Sequence, residues 1–492
     1  MNLLINKIQK YSYFLIQFQF KKLNRIFKKI FLNKISNQKV FISFQFNYYL
    51  LWNFKFIYFN EKTLINIAVE KGKLDIFKLL LSHDQIEIGE GAFYGCTELK
   101  EIAIPPTVTF LGDNSFKFCT SLEKIVIPST VTELGDNSFR GCSSLKRIDI
   151  PSSVSVIGNN AFEGCSALQE IVIPPSVTKI GAYTFKSCSS LQNVAIPTSV
   201  TSIGYYSFQG CSSMKSVVIP DSVTSLGAFA FNGCLALEDI VLSASLASIG
   251  NNAFQSCQSL LSAKIPSSVT QIGRFAFRGC SSLKQLQLPS KLNSILDHAF
   301  KGCSSLQSVI IPDSVVSIGD NCFEGCSLLQ KVHLSSSLTA VPRFIFRACP
   351  LLANVAIPDS VTTIMNDAFN GCSSLTQMEI PPSVTSIGKY AFEGCSKMSH
   401  ITIPTSVTQI GDYAFRGCSS LKQIDIPPTI TSIKIGVFED CDSLEHINIP
   451  SSVSVIEPGA FQGCSSLKKL SIPSSSSIDN LGIDDSTEVT RF

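Results

Sequence analysis

The chain has 492 residues, of which 45% are apolar and only 16% are charged. It can therefore bury a continuous core, which excludes a disordered protein or a charged tail. The net charge of +3 is uneven, because residues 1–60 hold ten Lys/Arg and no Asp or Glu, which leaves 30 basic against 37 acidic residues elsewhere. Because that remainder lacks a basic bias, we expect no nucleic-acid partner.

Residues 1–59 form a basic segment rich in aromatic residues. The uncharged run from Val40 to Phe54 covers 15 residues, fewer than the roughly 20 that a membrane-spanning helix needs. Three interpretations are open: an interfacial segment or poor membrane anchor, a helical cap for the residues that follow, or a start assigned in error to non-coding sequence. Membrane association is expected only through this segment.

Residues 60–84 have apolar positions at helical spacing. Ile65, Ala68 and Val69 share one apolar face, Gly72 ends it, and a second apolar face follows. With its Thr, Ala, Gly and Leu-Leu-Leu positions, the stretch resembles one ankyrin repeat, although the family's Pro and His are replaced. One helix pair cannot bury its own faces, so we predict that it packs on the next coil as an N-terminal cap.

From Gly91 nearly to the C-terminus the chain repeats one 23-residue pattern without a change of register. A cysteine stands at every 23rd position from Cys96 to Cys464, seventeen in all, and each has a phenylalanine three residues earlier. The L-x-x-I-x-I pattern after each cysteine predicts a short parallel strand whose alternate residues face inward. Proline follows in 15 of the 17 repeats and ends the strand.

The second part of each repeat returns the chain to the next strand. Val and Ile line this path, and a glycine follows in 11 of 16 complete cases, where we expect a turn with positive φ. Asp or Asn often comes next, suited to capping a single helical turn that carries Ala, Phe and Cys inward. The predicted fold is an α/β solenoid over residues 85–473, with seventeen 23-residue repeats, each with a short parallel β-strand and a short helical turn. The Ser-rich, acidic residues 474–492 are expected to fray.

The consensus A-F-x-G-C-S-S-L-x-x-I-x-I-P-x-S-V-T-x-I-G resembles the BspA-like, treponemal-type leucine-rich repeat over residues 85–473. This resemblance implies a curved solenoid and, for many members, a surface antigen or adhesin that binds host or matrix proteins. A fold does not by itself define a function.

The ladder cysteines are expected to be buried free thiols. Neighbouring ones would have near-parallel Cβ vectors about 4.8 Å apart, whereas a disulfide needs about 3.8 Å. Cys322 replaces the usual alanine before Phe323 and should face the same core. The alternative is a metal pair of Cys322 and Cys326, but no histidine lies near them in sequence.

No constellation of residues indicates catalysis. The five histidines occupy unrelated registers of the repeat, and no nucleophile elbow, zinc spacing or phosphate loop accompanies them. They are His83, His298, His333, His400 and His446. We therefore predict a non-enzymatic protein with no catalytic residue, cofactor or metal site.

The outward face of the strands can vary without harm to the core, so a binding function would lie there. In the column seven residues after each cysteine, six of the first seven repeats are apolar, against two of the last ten. This favours an apolar stripe that docks a protein partner, although valine also simply suits a pleated strand surface. The candidate residues are Val126, Val172, Ala195, Val218 and Val241, with Arg147, Glu170 and Asp239 beside them.

A second candidate surface lies on the return path, where Tyr183, Tyr206 and Phe229 occupy three successive coils. Stacked at about 5 Å they would form an aromatic ridge. The ridge either shields the neighbouring turn or forms an interface. Tyr206→Ser would separate these, since lost melting temperature indicates shielding and lost binding indicates an interface.

The sequence favours a monomeric scaffold that presents its strand face to protein ligands of unknown identity. The alternative is a cell-surface adhesin, as the resemblance implies. The periodic thiols, the ankyrin-like pair and the absence of any N-x-S/T glycosylation motif favour the cytoplasm over the cell surface.

Overall fold

The computed structural model describes residues 88–478 and 480–492, which belong to one compact unit. The basic segment 1–59 and the ankyrin-like stretch 60–84 lie outside the described residues. The described part is a parallel β-solenoid of about seventeen turns, or coils, of about 23 residues. One strand per repeat is predicted from the sequence, whereas the structure has two, which build two ladders.

The first ladder consists of the predicted strands, one after each ladder cysteine, together with one strand near the C-terminus that was not predicted. Its outward surface is the strand face. Its members are the odd-numbered strands β1 (Glu101–Ala103), β3 (Lys124–Val126), β5 (Arg147–Ile148), β7 (Glu170–Val172), β9 (Asn193–Ala195), β11 (Ser216–Val218), β13 (Asp239–Val241), β15 (Ser262–Lys264), β17 (Gln285–Gln287), β19 (Ser308–Ile310), β21 (Lys331–His333), β23 (Asn354–Val355), β25 (Gln377–Glu379), β27 (His400–Thr402), β29 (Gln423–Asp425), β31 (His446–Asn448), β33 (Lys469–Ile472) and β35 (Glu488–Arg491).

The second ladder consists of two-residue strands on the return path, one between each pair of strands of the first ladder. Its members are the even-numbered strands β2 (Phe110–Leu111), β4 (Glu133–Leu134), β6 (Val156–Ile157), β8 (Lys179–Ile180), β10 (Ser202–Ile203), β12 (Ser225–Leu226), β14 (Ser248–Ile249), β16 (Gln271–Ile272), β18 (Ser294–Ile295), β20 (Ser317–Ile318), β22 (Ala340–Val341), β24 (Thr363–Ile364), β26 (Ser386–Ile387), β28 (Gln409–Ile410), β30 (Ser432–Ile433), β32 (Val455–Ile456) and β34 (Ser477–Ile478).

The core is one continuous column of side chains, because every coil sends the same positions inward. The phenylalanines from Phe93 to Phe461 stack ring on ring, with successive centroids 4.7 to 6.1 Å apart. The cysteine, leucine, isoleucine and valine columns pack around them and are buried. The predicted inward positions are therefore confirmed, and each coil completes the close packing of its neighbours.

The predicted helical turn is wrong, since the described residues contain no helix. In the segment before Cys119, two residues take left-handed φ angles, Asn114 at 56° and Phe118 at 63°. Alternate N–H groups leave the local chain and donate to the next coil, as Asn114 does to the carbonyl of Asp136 at 2.8 Å. A helix would need all these donors along its own axis, so bonding between coils replaces it with a turn.

The expectation of positive φ at the glycines that follow the second ladder is also wrong. Gly204 has no such φ; instead, a Cβ there would lie 2.7 Å from the backbone nitrogen of Ala182 in the preceding coil. These glycines permit close approach of two backbones. The left-handed positions lie elsewhere in the repeat, for example at Gly233 with φ of 73°.

The Asp and Asn side chains cap a backbone, but not that of their own turn. The Oδ1 of Asp136 accepts the N–H of Asn159 at 2.6 Å, and the Oδ1 of Asn159 accepts the N–H of Ala182 at 2.9 Å. Each carboxyl or amide thus satisfies a donor 23 residues later. These side chains join coils rather than begin helices.

The expectation that residues 474–492 fray is wrong, because they form one further coil, which we call the terminal coil. Strand β35 pairs in parallel with β33, so that Ser471 lies opposite Thr490, only 19 residues away. Leu481 is buried and Ile483 packs partly against the core. The two apolar side chains attach a Ser-rich, acidic sequence to the solenoid.

Candidate protein-binding surfaces

The strand face presents the predicted apolar stripe to solvent. Val172 is 71% exposed and Val218 is 59% exposed, although their neighbours along each strand are buried. Cross-strand register places Val172 beside Ala195 and Val218 beside Val241. The apolar stripe, taken in full, comprises Ala103, Val126, Val172, Ala195, Val218 and Val241. The β alternation therefore brings these candidates into one outward column.

The charged candidates lie beside the stripe and interrupt it at one point. The Nη1 of Arg147 is 3.3 Å from the Oε1 of Glu170, and its Nε is 3.2 Å from the Oδ1 of Asp149, which occupies the stripe's own column. All three side chains are exposed, so these pairs add little to stability. Asp239 lies in the next column, opposite Ser216. The uninterrupted part of the stripe thus runs from Val172 to Val241.

The same column becomes polar in later coils. Lys264 and Gln287 follow the stripe as partners across two strands. Further on, the Nδ2 of Asn448 donates to the Oδ1 of Asp425 at 2.6 Å. Ile310 is exposed but has His333 as its cross-strand partner. The two parts of the strand face therefore offer different chemistry on one scaffold.

The aromatic ridge, Tyr183, Tyr206 and Phe229, stacks as its spacing predicts. Successive ring centroids are 5.0 and 4.5 Å apart, with planes 4° and 6° from parallel. All three side chains are half-buried, and all three residues take left-handed φ angles of 58° to 60°. Because the Tyr206 ring is stacked on both faces, only its edge remains available to a partner.

Two residues that the sequence analysis missed complete this cluster. Tyr205 is 52% exposed and meets the Tyr183 ring edge-on at 5.3 Å. The Nζ of Lys186 lies 5.1 Å from the Tyr183 centroid and 3.6 Å from a carboxylate oxygen of Glu163. The sequence does contain a signal for Tyr205, because it directly precedes Tyr206. With the Tyr206 ring in the ridge, the side chain of its neighbour faces solvent.

The ridge column is aromatic in other coils as well. Tyr390 and Tyr413 stack at 5.1 Å, and Phe275 stacks on His298 at 4.7 Å. Burial, with Lys301 nearby, lowers the pKa of His298. Recurrence along the solenoid favours a shielding role for the column over a single binding site.

The cysteines are buried, as predicted, and their thiols join neighbouring coils. From Cys119 to Cys464 each ladder thiol donates to the carbonyl oxygen of the phenylalanine 26 residues earlier, at 3.0 to 3.4 Å. Burial raises the pKa of the Cys165 thiol to about 12 and raises that of Cys322 further. Such thiols are poor nucleophiles and poor metal ligands at neutral pH.

Within residues 88–478 and 480–492, no group of three or more His, Cys, Asp and Glu side chains could hold a metal ion. The same residues contain no helix that is long and apolar enough to cross a membrane.

A family model described as BspA type leucine rich repeat region (6 copies) matches residues 71–192, 178–307, 248–376, 293–405 and 385–484. The chain belongs to the BspA-type leucine-rich-repeat family. The matched residues begin inside the ankyrin-like stretch and end inside the terminal coil. The BspA-type assignment therefore covers all the coils on which the candidate surfaces lie.

Solved structures of leucine-rich-repeat proteins resemble this chain. A leucine-rich repeat protein from Bacteroides ovatus is 28% identical over 80% of this chain and 92% of that chain, with a TM-score of 0.56. A leucine rich cell surface protein from Faecalibacterium prausnitzii is 33% identical over 64% of this chain and 82% of that chain, with a TM-score of 0.41. No curated protein matches the chain. The Bacteroides structure supports the solenoid fold of this BspA-type protein.

Proposed function

We propose that this BspA-type protein is a non-enzymatic scaffold that presents its strand face to protein ligands. One observation carries the proposal: four successive coils, from Val172 to Val241, expose an apolar side chain in the same column. Exposed apolar residues that lie side by side with polar residues around them are typical of protein interfaces. The ladder holds them in fixed register, so a ligand loses little free energy in ordering the surface.

The charged residues around the stripe set the orientation of the ligand. Arg147 and Glu170 lie at one end of the uninterrupted part, and Asp239 lies at the other. Exposed charges at the rim of an interface affect the association rate and the choice of partner more than the affinity. We therefore expect the apolar side chains to contribute most of the affinity for the ligand and the charged side chains to determine which ligand is selected. The apolar side chains are those of Val172, Ala195, Val218 and Val241.

The test is the double variant Val172→Lys, Val218→Lys. Two ammonium groups in the middle of the stripe should weaken ligand binding by tenfold or more, because each would have to be desolvated in the complex. Binding is measured between the purified chain and the proteins that the unmodified chain captures from its native cells. Circular dichroism should be unchanged, since both side chains point into solvent.

The matched control is Val156→Lys. Val156 is also a valine of the N-terminal half and is 47% exposed, but it lies on the second ladder. The control should bind as the unmodified chain does. If the double variant binds as well as the unmodified chain, the apolar stripe is not the binding surface.

Family membership suggests a cell-surface adhesin as the alternative. The two functions differ in compartment, which intact mass of protein from its native cells would distinguish. A full-length chain whose eighteen cysteines can all be alkylated after unfolding indicates a reduced intracellular scaffold. A shortened chain with oxidised cysteines or attached glycan indicates secretion and favours the adhesin.

A further inference from the structure

The C-terminal half of the strand face carries a polar array, formed by two neighbouring columns on strands β27, β29 and β31. On each of these strands the two outward side chains are exposed and the side chain between them is buried. The array consists of His400, Gln423 and His446 in one column and Thr402, Asp425 and Asn448 in the other. Every outward side chain of the three strands is therefore a hydrogen-bond donor, an acceptor or both.

Side-chain hydrogen bonds hold part of the polar array in place. The Nδ2 of Asn448 donates to the Oδ1 of Asp425 at 2.6 Å, and the Oγ1 of Thr402 lies 3.2 Å from the Nε2 of His400. Both pairs keep further capacity for a ligand, because a carboxylate has two acceptor oxygens and an amide has two N–H donors. A ligand would lose less free energy in ordering groups that already hold one another.

A cavity of about 70 Å³ opens in the array between β27 and β29. These two strands belong to different sheets, whereas β25 pairs with β27 and β29 pairs with β31. The outward side chains that line the cavity are those of His400, Thr402, Gln423 and Asp425. Ile401 also lines it, and because its side chain is buried it contributes backbone groups. The cavity has room for a hydroxyl or hydroxymethyl group and surrounds it with both donors and acceptors.

The composition of the polar array defines the class of ligand. The array has no large apolar side chain, so it lacks the anchors that supply most of the affinity in a protein interface. It has one carboxylate, that of Asp425, and no Lys or Arg. A phosphate or sulfate group would therefore meet a like charge without a cation to pair with. The complementary ligand is an uncharged molecule with many hydroxyl groups, each of which can both donate and accept.

We propose that the polar array binds a neutral carbohydrate chain. Hydrogen bonds to a charged acceptor are stronger than those between neutral groups, so Asp425 makes the largest contribution, by accepting from sugar hydroxyl groups. The three strands span two steps of about 4.8 Å, which is long enough for more than one sugar ring. This site lies in other coils than the apolar stripe and binds a different class of ligand.

The test is native electrophoresis of the full chain in gels that each contain one neutral polysaccharide: mannan, galactomannan, xyloglucan or glycogen. At least one of them should slow the chain relative to a gel without polysaccharide. Asp425→Ala should raise the dissociation constant, measured from mobility against polysaccharide concentration, by tenfold or more. Circular dichroism should be unchanged, since the side chain is exposed.

The matched control is Asp149→Ala, which removes an exposed aspartate of the same column in the N-terminal half. Both variants lose one negative charge, so a change of mobility that comes from charge alone is the same in both. Asp149→Ala should be retarded as the unmodified chain is. His400→Ala, which removes a side chain that lines the cavity, should weaken retardation.

The double variant Val172→Lys, Val218→Lys should bind the polysaccharide normally, which separates this site from the apolar stripe. The inference is overturned if none of the four polysaccharides slows the unmodified chain, or if Asp425→Ala and Asp149→Ala are retarded equally. It is also overturned if Asp425→Ala keeps its retardation but loses a protein ligand, because the polar array is then a protein interface.

Discussion

The buried ladder thiols make the stability of the solenoid depend on pH. Burial raises the pKa of Cys165 to about 12 in the folded chain, whereas an unfolded cysteine titrates near 8.5. Folding therefore favours the neutral thiol. This contribution is fully present below about pH 8.5 and is lost as pH rises towards 12, because only the unfolded chain gains free energy by ionising.

We predict that stability falls steeply above pH 8.5. Each thiol whose pKa is raised by burial, as that of Cys165 is, should cost about 1.4 kcal/mol per pH unit once the unfolded cysteine is ionised. Urea unfolding at a series of pH values measures how the free energy of unfolding changes with pH. Cys165→Ala should reduce that slope by about 1.4 kcal/mol per pH unit, the contribution of one proton. The ladder account is contradicted if the slope of Cys165→Ala matches that of the unmodified chain, or if the thiols react with an alkylating agent in the folded state at neutral pH.

The Tyr206 ring should contribute stability rather than binding. The repeat itself uses asparagine at this left-handed position, for instance at Asn160 and Asn252, so Tyr206→Asn removes the ring without straining the backbone. Loss of stacking on both Tyr183 and Phe229 should lower the free energy of unfolding by about 1 to 3 kcal/mol. Thermal unfolding measures this loss.

Ligand binding by Tyr206→Asn should stay unchanged. The control is Tyr205→Asn, which removes the exposed ring and should change stability less. If Tyr206→Asn weakens binding at an unchanged melting temperature, the aromatic ridge is an interface and not a shield.

At the scale of the element, the strand could be predicted and the turn could not. The strand depends on alternation, and Ile171 and Ile173 face inward on either side of Val172 in a way that the sequence shows directly. The turn is formed by residues with positive φ angles. The same left-handed position of the repeat is occupied by residues as different as Asn114, Tyr183 and Gly459. No shared chemistry marks that position, so a helical turn looked equally suitable.

The terminal coil was missed for a different physical reason. It closes in 19 residues instead of 23, and it lacks the cysteine that marks the ladder's register. Leu481 and Ile483 are the apolar side chains that attach its return path to the core. A search for a fixed period cannot detect a coil that does not keep that period.

The candidate surfaces were predictable only as columns. Register alone identifies Val172, Val218 and Tyr206 as neighbours of the residues one coil away. The contribution of Lys186 and Glu163 beside the ridge depends on side-chain conformations in three coils. Such contacts can be identified only from the structure, because the rotamer of each side chain depends on residues that are far away in sequence.

For the whole molecule, stability is a sum over neighbouring coils. We predict that deletion of residues 255–277, which joins Phe254 directly to Arg278, yields a folded chain one coil shorter. All columns keep their register across the junction because the deletion equals one repeat. Circular dichroism per residue should be unchanged, and the melting temperature should fall by only a few degrees.

Deletion of residues 255–274 provides the control. It removes 20 residues, so every column after the junction moves out of register and buried positions receive exposed residues. This chain should lose much of its strand signal. If both deletions unfold alike, the coils are not interchangeable.

The backbone hydrogen bonds of both ladders run from coil to coil, parallel to the direction in which the coils stack. A force that pulls the two ends of the solenoid apart therefore loads one coil contact at a time, and the bonds open in sequence rather than together. Each opened coil would release 23 residues, or about 80 Å of extended chain. Under tension the protein would act as an extensible tether that lengthens by equal steps and keeps its remaining coils intact.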